Sequence, residues 1–250
     1  MKTVAVIPAR MGSSRLPGKV MIPVLGKPLL GVMLDRIQRC SLLDEVVVAT
    51  STGVDNDAIE TYCNQRNVLV FRGSENDVLD RLTQALIWRE AQTGVLLFGD
   101  CPLIDPTIIT RVVTYFNAHP EYDFVSNDLV TSWPPGMEVE VFRVSTLIDS
   151  RKRCTDMSLR EHSTLHIRLH SDVYCLYNLE APANLRRPGL SLEVDVDKDL
   201  IVIESLLKAF GGHSDFTLED MISYVDENPS VEKVNHGVER RWKQYRDNQS

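Results

Sequence analysis

The sequence predicts an α/β protein built on a mostly parallel, Rossmann-like sheet with helices on both faces. Its first half alternates short apolar runs of strand length with helical patterns, which is typical of parallel βαβ units. The strand-like runs are continuously apolar, as in strands that are buried on both faces. With 250 residues and 43% hydrophobic content, the chain can bury a substantial core. We therefore expect a single domain over residues 1–250.

Four apolar runs predict the parallel strands, and they lie at residues 3–7, 45–49, 68–71 and 95–98. Between these runs, apolar residues recur at the spacing of one helix face. Helices are expected from Leu29, from a cap at Asp77 and from Pro106. This order of elements predicts a sheet whose strands are connected by helices.

The pattern changes after about residue 120. Residues 133–136 (Trp-Pro-Pro-Gly) predict a turn, and residues 137–142 alternate as a half-exposed strand does. We expect a small inserted β-rich lobe at about 130–178 that serves in dimerisation. Further patterns predict a helix over 158–169, a strand over 173–177, a helix over 197–210 and, from residue 237, a charged tail that is a solvated helix or a frayed end.

Composition excludes several classes of protein. A net charge of −8 and a pI near 5.3 argue against a general nucleic-acid binder, which normally carries a basic face. No run approaches the roughly 18 apolar residues of a membrane span, and the start of the chain lacks the pattern of a signal peptide. Five scattered cysteines without a CxxC pair suggest neither a disulfide framework nor a zinc site. We expect a cytoplasmic protein with no nucleic-acid or membrane partner.

The most informative segment is residues 9–19, Ala-Arg-Met-Gly-Ser-Ser-Arg-Leu-Pro-Gly-Lys, directly after the first predicted strand. Ligands of open parallel sheets bind at the carboxyl ends of the strands. The segment combines three cations, two hydroxyls and two glycines, which suits a triphosphate. It is not a P-loop, because Val20 follows Lys19 and the glycine spacing differs, and Gly-x-Gly-x-x-Gly is absent. Charge alone would equally fit a solvated basic loop.

Residues 7–10, 15–19 and 26–28 closely resemble the amino-terminal signature of the CMP-sugar cytidylyltransferases. Those enzymes activate 3-deoxy-manno-octulosonate and the nonulosonic acids. Four more segments resemble the subgroup called spore coat polysaccharide biosynthesis protein SpsF, and they are residues 48–51, 71–81, 100–105 and 160–162. The resemblance extends from residue 3 to about residue 205. It implies a fold of the nucleotide-diphospho-sugar transferase type, a homodimer and a role in surface polysaccharide biosynthesis.

The resemblance also implies roles for particular residues. Arg10 and Lys19 would hold the β- and γ-phosphates and stabilise the departing pyrophosphate, and together with Asp100 they form the expected catalytic set. Asp100 and Asp195 would ligate the cofactor Mg²⁺. The full set of expected nucleotide-binding residues is Pro8, Ala9, Arg10, Ser13, Ser14, Arg15, Lys19, Thr50, Arg72, Asp77 and Arg81.

Besides Pro8, where the SpsF subgroup commonly has Gln, the chain departs from the family pattern in two places that concern the site. The late motif Val-Asp-Thr-Pro-Glu-Asp-Leu here has Val196 and Asp197 where the family has Thr and Pro, so Asp197 is a candidate helix cap. Residues 97–99 (Leu-Phe-Gly) replace a polar Arg-x-Thr stretch of the subgroup. The second change leaves the contacts with the acceptor sugar open, because that stretch precedes Asp100.

The candidate acceptor-binding residues are Glu138, Glu140, Arg160 and His162. Arg160 could bind the carboxylate of an acidic sugar with a bidentate fork. His162 could hydrogen-bond a sugar hydroxyl or assist its deprotonation, or it could be an ordinary surface histidine. The two glutamates share a strand face and could equally be solvated or lie in a subunit contact.

The predicted function is Mg²⁺-dependent transfer of CMP from CTP to an acidic 2-keto sugar with release of pyrophosphate. The alternatives are transfer to a sugar phosphate or another acceptor, a glycosyltransferase, and a non-catalytic nucleotide-binding protein of the same fold. A glycosyltransferase would need an Asp-x-Asp motif just after a central strand, and the tripeptides at 55–57 and 195–197 are poorly placed for it.

Overall fold

The computed structural model describes residues 1–240. The strands are β1 (Thr3–Pro8), β2 (Pro23–Val24), β3 (Lys27–Pro28), β4 (Glu45–Ser51), β5 (Leu69–Gly73), β6 (Thr93–Leu96), β7 (Phe124–Ser126), β8 (Glu140–Arg143) and β9 (Leu176–Asn178). The helices are α1 (Leu29–Ile37), α2 (Asp57–Gln65), α3 (Val78–Trp88), α4 (Pro106–Ala118), α5 (Val144–Arg153), α6 (Met157–Arg160), α7 (Leu165–Leu169), α8 (Asp197–Ala209), α9 (Leu218–Glu227) and α10 (Pro229–Lys233). Among these residues, no helix is both long and apolar enough to cross a membrane.

Seven strands form the main sheet in the order β5-β4-β1-β6-β8-β7-β9, and β2 pairs with β3 in a small hairpin. The four strands predicted from the apolar runs are all present, and β5, β4, β1 and β6 pair in parallel. Their alternate side chains enter two separate cores. Ala5 and Ile7 pack with α1, α4 and α8 on one face, whereas Val4 and Val6 pack with α3 and α5 on the other. Helices therefore cover both faces, as predicted.

The strand expected to be half-exposed is buried. Met137, Val139 and Val141 are 0% exposed, because β8 lies antiparallel between β6 and β7 with a core on each side of the sheet. The acidic positions that alternate with these residues line an internal cavity instead of facing solvent. The alternation therefore predicts a strand correctly, but the expectation that one face of this strand is exposed to solvent is wrong.

The segment at 130–178 differs from a separate β-rich lobe. Its strands β8 and β9 belong to the main sheet, and the remainder contains α5, α6 and α7. The helix predicted over 158–169 is divided into α6 and α7 by a turn, and the predicted strand over 173–177 is the shorter β9. A dimerisation role for this segment stays a prediction. The sequence patterns also did not predict α2, α5, β7, α9 and α10.

The charged tail that was predicted to be solvated starts at residue 237, and residues 237–240 belong to the described part of the chain. Arg240 is only 3% exposed and pairs with Asp199, so the start of the tail packs against the domain. The rest of the predicted tail, residues 241–250, lies outside the described residues.

The sheet topology places the site beside β1. The chain passes from β1 to β4 and β5 on one side and then to β6 on the other, which makes the β1/β6 boundary a topological switch point. A Cβ on Gly99 would lie 2.6 Å from the carbonyl oxygen of Pro8. Only glycine therefore allows the segment after β6 to pass so close to the end of β1.

Candidate active site

A cavity of about 670 Å³ opens at the carboxyl ends of β1 and β6. One side is the loop after β1, which we call the cationic loop and define as residues 9–19. The opposite side, which we call the acidic wall, consists of Asp128, Glu138, Glu140, Arg168 and Glu193. The predicted residues that line the cavity are Pro8, Ala9, Arg10, Ser13, Ser14, Arg15, Lys19, Arg81, Asp100, Glu138, Glu140, His162 and Asp195.

The cationic loop is held by its own backbone and by a neighbouring side chain. The carbonyl oxygen of Met11 accepts hydrogen bonds from the N–H groups of Ser13 (2.9 Å) and Gly18 (2.8 Å). The N–H of Met11 donates to Asn56 Oδ1 at 2.9 Å. Gly18 has a φ of 69°, a left-handed conformation that favours glycine. The fixed loop directs Arg10, Ser13, Ser14, Arg15 and Lys19 into the cavity.

Lys19 brings the two expected metal ligands together. Its Nζ donates to Asp100 Oδ2 at 2.8 Å, to Asp195 Oδ1 at 3.2 Å and to the carbonyl oxygen of Val194 at 3.0 Å. The N–H of Val194 donates to the carbonyl oxygen of Asp100 at 2.8 Å, so a backbone hydrogen bond joins the same two segments. The convergence of Asp100 and Asp195, which the sequence could not test, is present in the structure.

The charges in this cluster stabilise each other. Burial alone would lower the pKa of Lys19, but Asp100 and Asp195 outweigh it and raise that pKa above its ordinary value. Burial alone would raise the pKa of Asp100, but Lys19 outweighs it and lowers that pKa. Lys19 and Asp100 are therefore both charged at neutral pH.

Two arginines of the cationic loop extend this network. Arg15 Nη2 lies 2.7 Å from Asp195 Oδ2. Arg10 reaches Glu161 at 3.1 Å and Glu75 at 3.5 Å, and about a third of its side chain is exposed. Arg10 can therefore exchange these exposed carboxylates for phosphate oxygens without a change in the core.

The cavity can accommodate the metal that the resemblance implies. Mg²⁺ in nucleotide enzymes is commonly bound by one or two carboxylates together with substrate phosphates. Asp100 and Asp195 offer such a pair, in contact with a lysine that could move to a phosphate. Within residues 1–240, no group of three or more His, Cys, Asp or Glu side chains is arranged to hold a metal ion. The donor set therefore fits a metal that arrives with its nucleotide.

Three of the predicted nucleotide-binding residues do not line the cavity. Thr50 is buried in β4. Arg72 donates to the carbonyl oxygens of Ser51 (3.0 Å) and Gly53 (2.8 Å), so it braces the turn after β4. Asp77 caps α3, accepting from the N–H of Asp80 at 2.8 Å. Arg72 and Asp77 therefore have structural roles, and a contact of Thr50, Arg72 or Asp77 with the nucleotide stays a prediction.

Arg81 does reach the cavity from α3. It is almost fully buried and donates to the carbonyl oxygens of Ser74 and, at 3.3 Å, Glu75. Its Nε has no hydrogen-bond partner in the described part of the chain. A buried donor of this kind is costly unless a ligand or water satisfies it, so Arg81 stays a candidate for nucleotide contact.

Arg160 does not face the acceptor region. Its guanidinium pairs with Asp77 at 2.7 Å and donates to the carbonyl oxygens of Arg151 and Cys154, each at 2.8 Å. The prediction that Arg160 binds the acceptor's carboxylate is therefore not supported, because every one of these contacts lies behind the cavity wall. His162, two residues later, does line the cavity, and burial lowers its pKa so that it is neutral at pH 7.

Arg168 supplies the cation of the acidic wall. It lies 3.1 Å from Glu140 and 3.5 Å from Asp128. Glu140 is 0% exposed and also accepts from Thr164 Oγ1 at 2.6 Å. Burial raises the pKa of Glu140, although Arg168 opposes the shift. Sequence reasoning missed Arg168 because nothing local distinguishes it from other arginines on short helices.

Glu138 has the most unusual environment of the predicted acceptor residues. Its Oε2 accepts from the N–H of Gly136 at 2.8 Å. Burial, and then the charges of Asp128 and Glu193, raise its pKa well above the ordinary value. Gly136 has a φ of 104°, and a Cβ there would lie 2.5 Å from the carbonyl carbon of Leu192. This close approach brings Glu138 and Glu193 onto one wall.

The geometry agrees with the comparisons with known proteins. Residues 4–223 match the family model described as cytidylyltransferase. The spore coat polysaccharide biosynthesis protein SpsF of Bacillus subtilis is 33% identical over 232 residues, which cover 90% of this chain and 95% of that protein. An 8-amino-3,8-dideoxy-manno-octulosonate cytidylyltransferase of Shewanella frigidimarina is 34% identical over 123 residues, 48% of this chain and 49% of that protein.

A solved structure supports the same relationship. A cytidylyltransferase from Leptospira borgpetersenii superposes with a TM-score of 0.90 and 29% identity, covering 96% of this chain and 100% of that chain. The predicted fold type is thereby confirmed.

Proposed function

The chain belongs to the cytidylyltransferase family, and we propose that it transfers CMP from CTP to an acidic 2-keto sugar, with Mg²⁺ as cofactor. The observation that carries the proposal is the Lys19–Asp100–Asp195 cluster at the switch point of the sheet. It joins a triphosphate-type loop to a pair of carboxylates within one cavity. The acidic sugar is suggested by the relative from Shewanella, whose name includes an octulosonate. The homodimer and the cytoplasmic location stay predictions.

The reaction places each part of the cavity in a distinct role. An acceptor hydroxyl oxygen attacks the α-phosphorus of CTP, the new P–O bond forms, and the bond to the bridging oxygen of the β-phosphate breaks. The bond's electron pair leaves with pyrophosphate. Arg10, Arg15 and Lys19 stabilise the charge that develops on that leaving group. Bound Mg²⁺ would be held by Asp100 and Asp195 and would neutralise phosphate charge.

The acidic wall provides for the acceptor. Glu138, Glu140 and Asp128 accept hydrogen bonds from sugar hydroxyls, and Arg168 offers a guanidinium to the sugar's carboxylate. The attacking hydroxyl must lose a proton. His162, which is neutral at pH 7, and Glu138, which has a raised pKa, are the two cavity groups suited to accept it.

One observation favours a second acceptor class within the same reaction. The acidic wall contains four carboxyl groups and one arginine, and Arg168 already pairs with two of them. Such an excess of carboxyl groups suits an acceptor that carries a protonated amino group, because an ammonium ion can donate charge-assisted hydrogen bonds to carboxyl oxygens. An amino-substituted acidic sugar would satisfy both Arg168 and the carboxylates.

The deciding experiment is pyrophosphate release with Mg²⁺ and each of the four nucleoside triphosphates. The acceptor panel contains 3-deoxy-octulosonic and nonulosonic acids, their amino-substituted analogues and sugar phosphates. Release with CTP and one acidic sugar would establish the reaction, and the amino analogue tests the acidic wall. Tight CTP binding without release from any member would count against these acceptors and favour a non-catalytic role or an acceptor of another class.

A further inference from the structure

Three carboxylates lie close together in the segment that carries Asp195. Glu193 is 7% exposed, Asp195 is 9% exposed and Asp199 is 0% exposed. Buried carboxylates in such proximity repel each other and lose hydration, so the fold must compensate them with cations or hydrogen-bond donors. Lys19 and Arg15 compensate only Asp195. Compensation for the other two comes from another part of the chain.

Asp199 connects the backbone of Asp195 to the carboxyl-terminal end of the described chain. Its Oδ2 accepts from the N–H groups of Asp195 (2.8 Å) and Val196 (2.9 Å). Asn235 Nδ2 donates to Oδ1 at 2.8 Å. Arg240 donates to both oxygens, with Nη2 2.6 Å from Oδ1 and Nη1 2.9 Å from Oδ2. The carboxylate therefore accepts five hydrogen bonds, three of them from residues 235–240.

Arg240 also reaches the other two carboxylates. Its Nε lies 3.4 Å from Glu193 Oε1, and its Nη1 lies 3.7 Å from Asp195 Oδ2. The same segment touches the cationic loop, because Arg15 Nη1 donates to the carbonyl oxygen of Glu239 at 3.1 Å. The buried Arg240 guanidinium thus links Glu193, Asp195 and Asp199 to the end of the described chain, and Arg15 links that end to the cationic loop.

We propose that Arg240 is a positioning residue for Asp195, acting through Asp199 to fix the carboxylate that holds the metal. Arg240 does not line the cavity and touches no reacting atom, so it is not a catalytic residue. The proposal rests on the proposed function only in taking Asp195 as a metal ligand. Outer partners of metal ligands orient them, and their loss commonly weakens metal affinity or activity by about 10- to 100-fold.

The test compares Arg240→Ala and Arg240→Lys with the unaltered protein and with Arg187→Ala. Arg187 is the control, because it also pairs with a carboxylate, Asp226 at 2.7 Å, and does not line the cavity. The first readout is the dissociation constant of CTP without acceptor, measured by calorimetry with Mg²⁺ and again with a chelator. The second is the Mg²⁺ concentration that gives half-maximal turnover.

Arg240→Ala should weaken CTP binding about 10-fold or more with Mg²⁺ and by less than about twofold without it. Arg240→Lys keeps the charge with fewer donors and should fall between. Guanidinium ion, at concentrations well below denaturing ones, should restore part of the loss in Arg240→Ala only. Equal weakening with and without Mg²⁺, or a lowered Tm with unchanged Mg²⁺ dependence, would overturn the proposal.

A second variant covers the case in which Arg240→Ala does not fold. Asn235→Ala removes one donor from Asp199 and leaves the guanidinium in place, so it should give a smaller loss with the same dependence on Mg²⁺. Unchanged Mg²⁺·CTP binding in a folded Asn235→Ala protein would count against the proposed positioning role of Arg240. Because the binding readout needs no acceptor, failure of the proposed transfer reaction and failure of the positioning role are distinguishable.

Discussion

The two sides of the cavity shift the pKa values of their carboxyl groups in opposite directions. On the side of the cationic loop, Lys19 lies between Asp100 and Asp195 and lowers the pKa of Asp100. On the acidic wall, no cation within residues 1–240 forms a salt bridge with Glu138, and burial and its acidic neighbours raise its pKa. The pKa values of two carboxyl groups in one cavity are thus shifted in opposite directions. Enzymes use such differences to separate charge stabilisation from proton transfer. The difference suggests that one side binds metal and phosphates while the other binds the acceptor.

The largest effect should come from Asp100→Asn. The change keeps the volume of the side chain and removes one of two metal-binding charges, so turnover should fall by about 100-fold or more. The fold should persist, because the amide can still accept a hydrogen bond from Lys19. Steady-state pyrophosphate release and a thermal melt measure the two quantities. Full Mg²⁺-dependent turnover in this variant would remove Asp100 from the metal site.

Lys19→Ala tests the same side of the cavity by removing a positive charge instead of a negative one. Loss of a charge-assisted contact with phosphate should weaken CTP binding by about 10- to 100-fold. Binding of CMP, which lacks the β- and γ-phosphates, should change much less. Calorimetric titration with both nucleotides gives the ratio. If the two affinities fall equally, Lys19 does not contact pyrophosphate and serves only to hold Asp100 and Asp195 together.

Arg168 and Arg160 together test which arginine binds the acceptor. Arg168→Ala should raise the KM for the acceptor by about 10-fold while the KM for CTP stays nearly constant, because Arg168 lies on the acidic wall. Arg160→Ala should lower the free energy of unfolding by about 1–2 kcal/mol, through the loss of its bond to Asp77, with little change in either KM. A larger acceptor effect from Arg160 would reverse this assignment.

The same contrast explains how much the sequence could predict. The cations of the loop lie within ten positions of Arg10, directly after an apolar strand, so local spacing and the family resemblance identified them. The acidic wall is assembled from the segment after β7, from the start of β8 and the residues before it, from α7 and from the segment before α8. No local pattern links Asp128 with Glu193, since they lie in distant parts of the chain and only the folded structure places both on the cavity wall.

Arg160 and Arg168 show why the sequence does not reveal which arginine lines the cavity. Both arginines lie in one segment with helical periodicity, which predicts a single helix and does not say which of them faces inward. The turn between α6 and α7 changes the direction of the chain, so that Arg160 braces Asp77 and Arg168 enters the cavity. Arg240 was likewise unpredictable, because its charged surroundings in the sequence resemble a solvated tail.

The smallest effect should come from Glu138→Gln, and it concerns stability. The folded protein holds Glu138 with a raised pKa, whereas the unfolded chain ionises it at an ordinary value. The native protein therefore loses stability as pH rises through the window between the unfolded pKa and the raised folded one. The glutamine variant has no such loss, so its free energy of unfolding should exceed that of the native protein above this window.

Urea unfolding of both proteins from pH 4 to pH 8 measures this difference. Glu90→Gln is the control, because Glu90 is exposed and its replacement should leave the pH dependence unaltered. A pH dependence for Glu138→Gln that matches the native protein would mean that Glu138 is ionised without penalty. The acidic wall would then be compensated as fully as the cationic loop, and the proposed difference between the two sides would disappear.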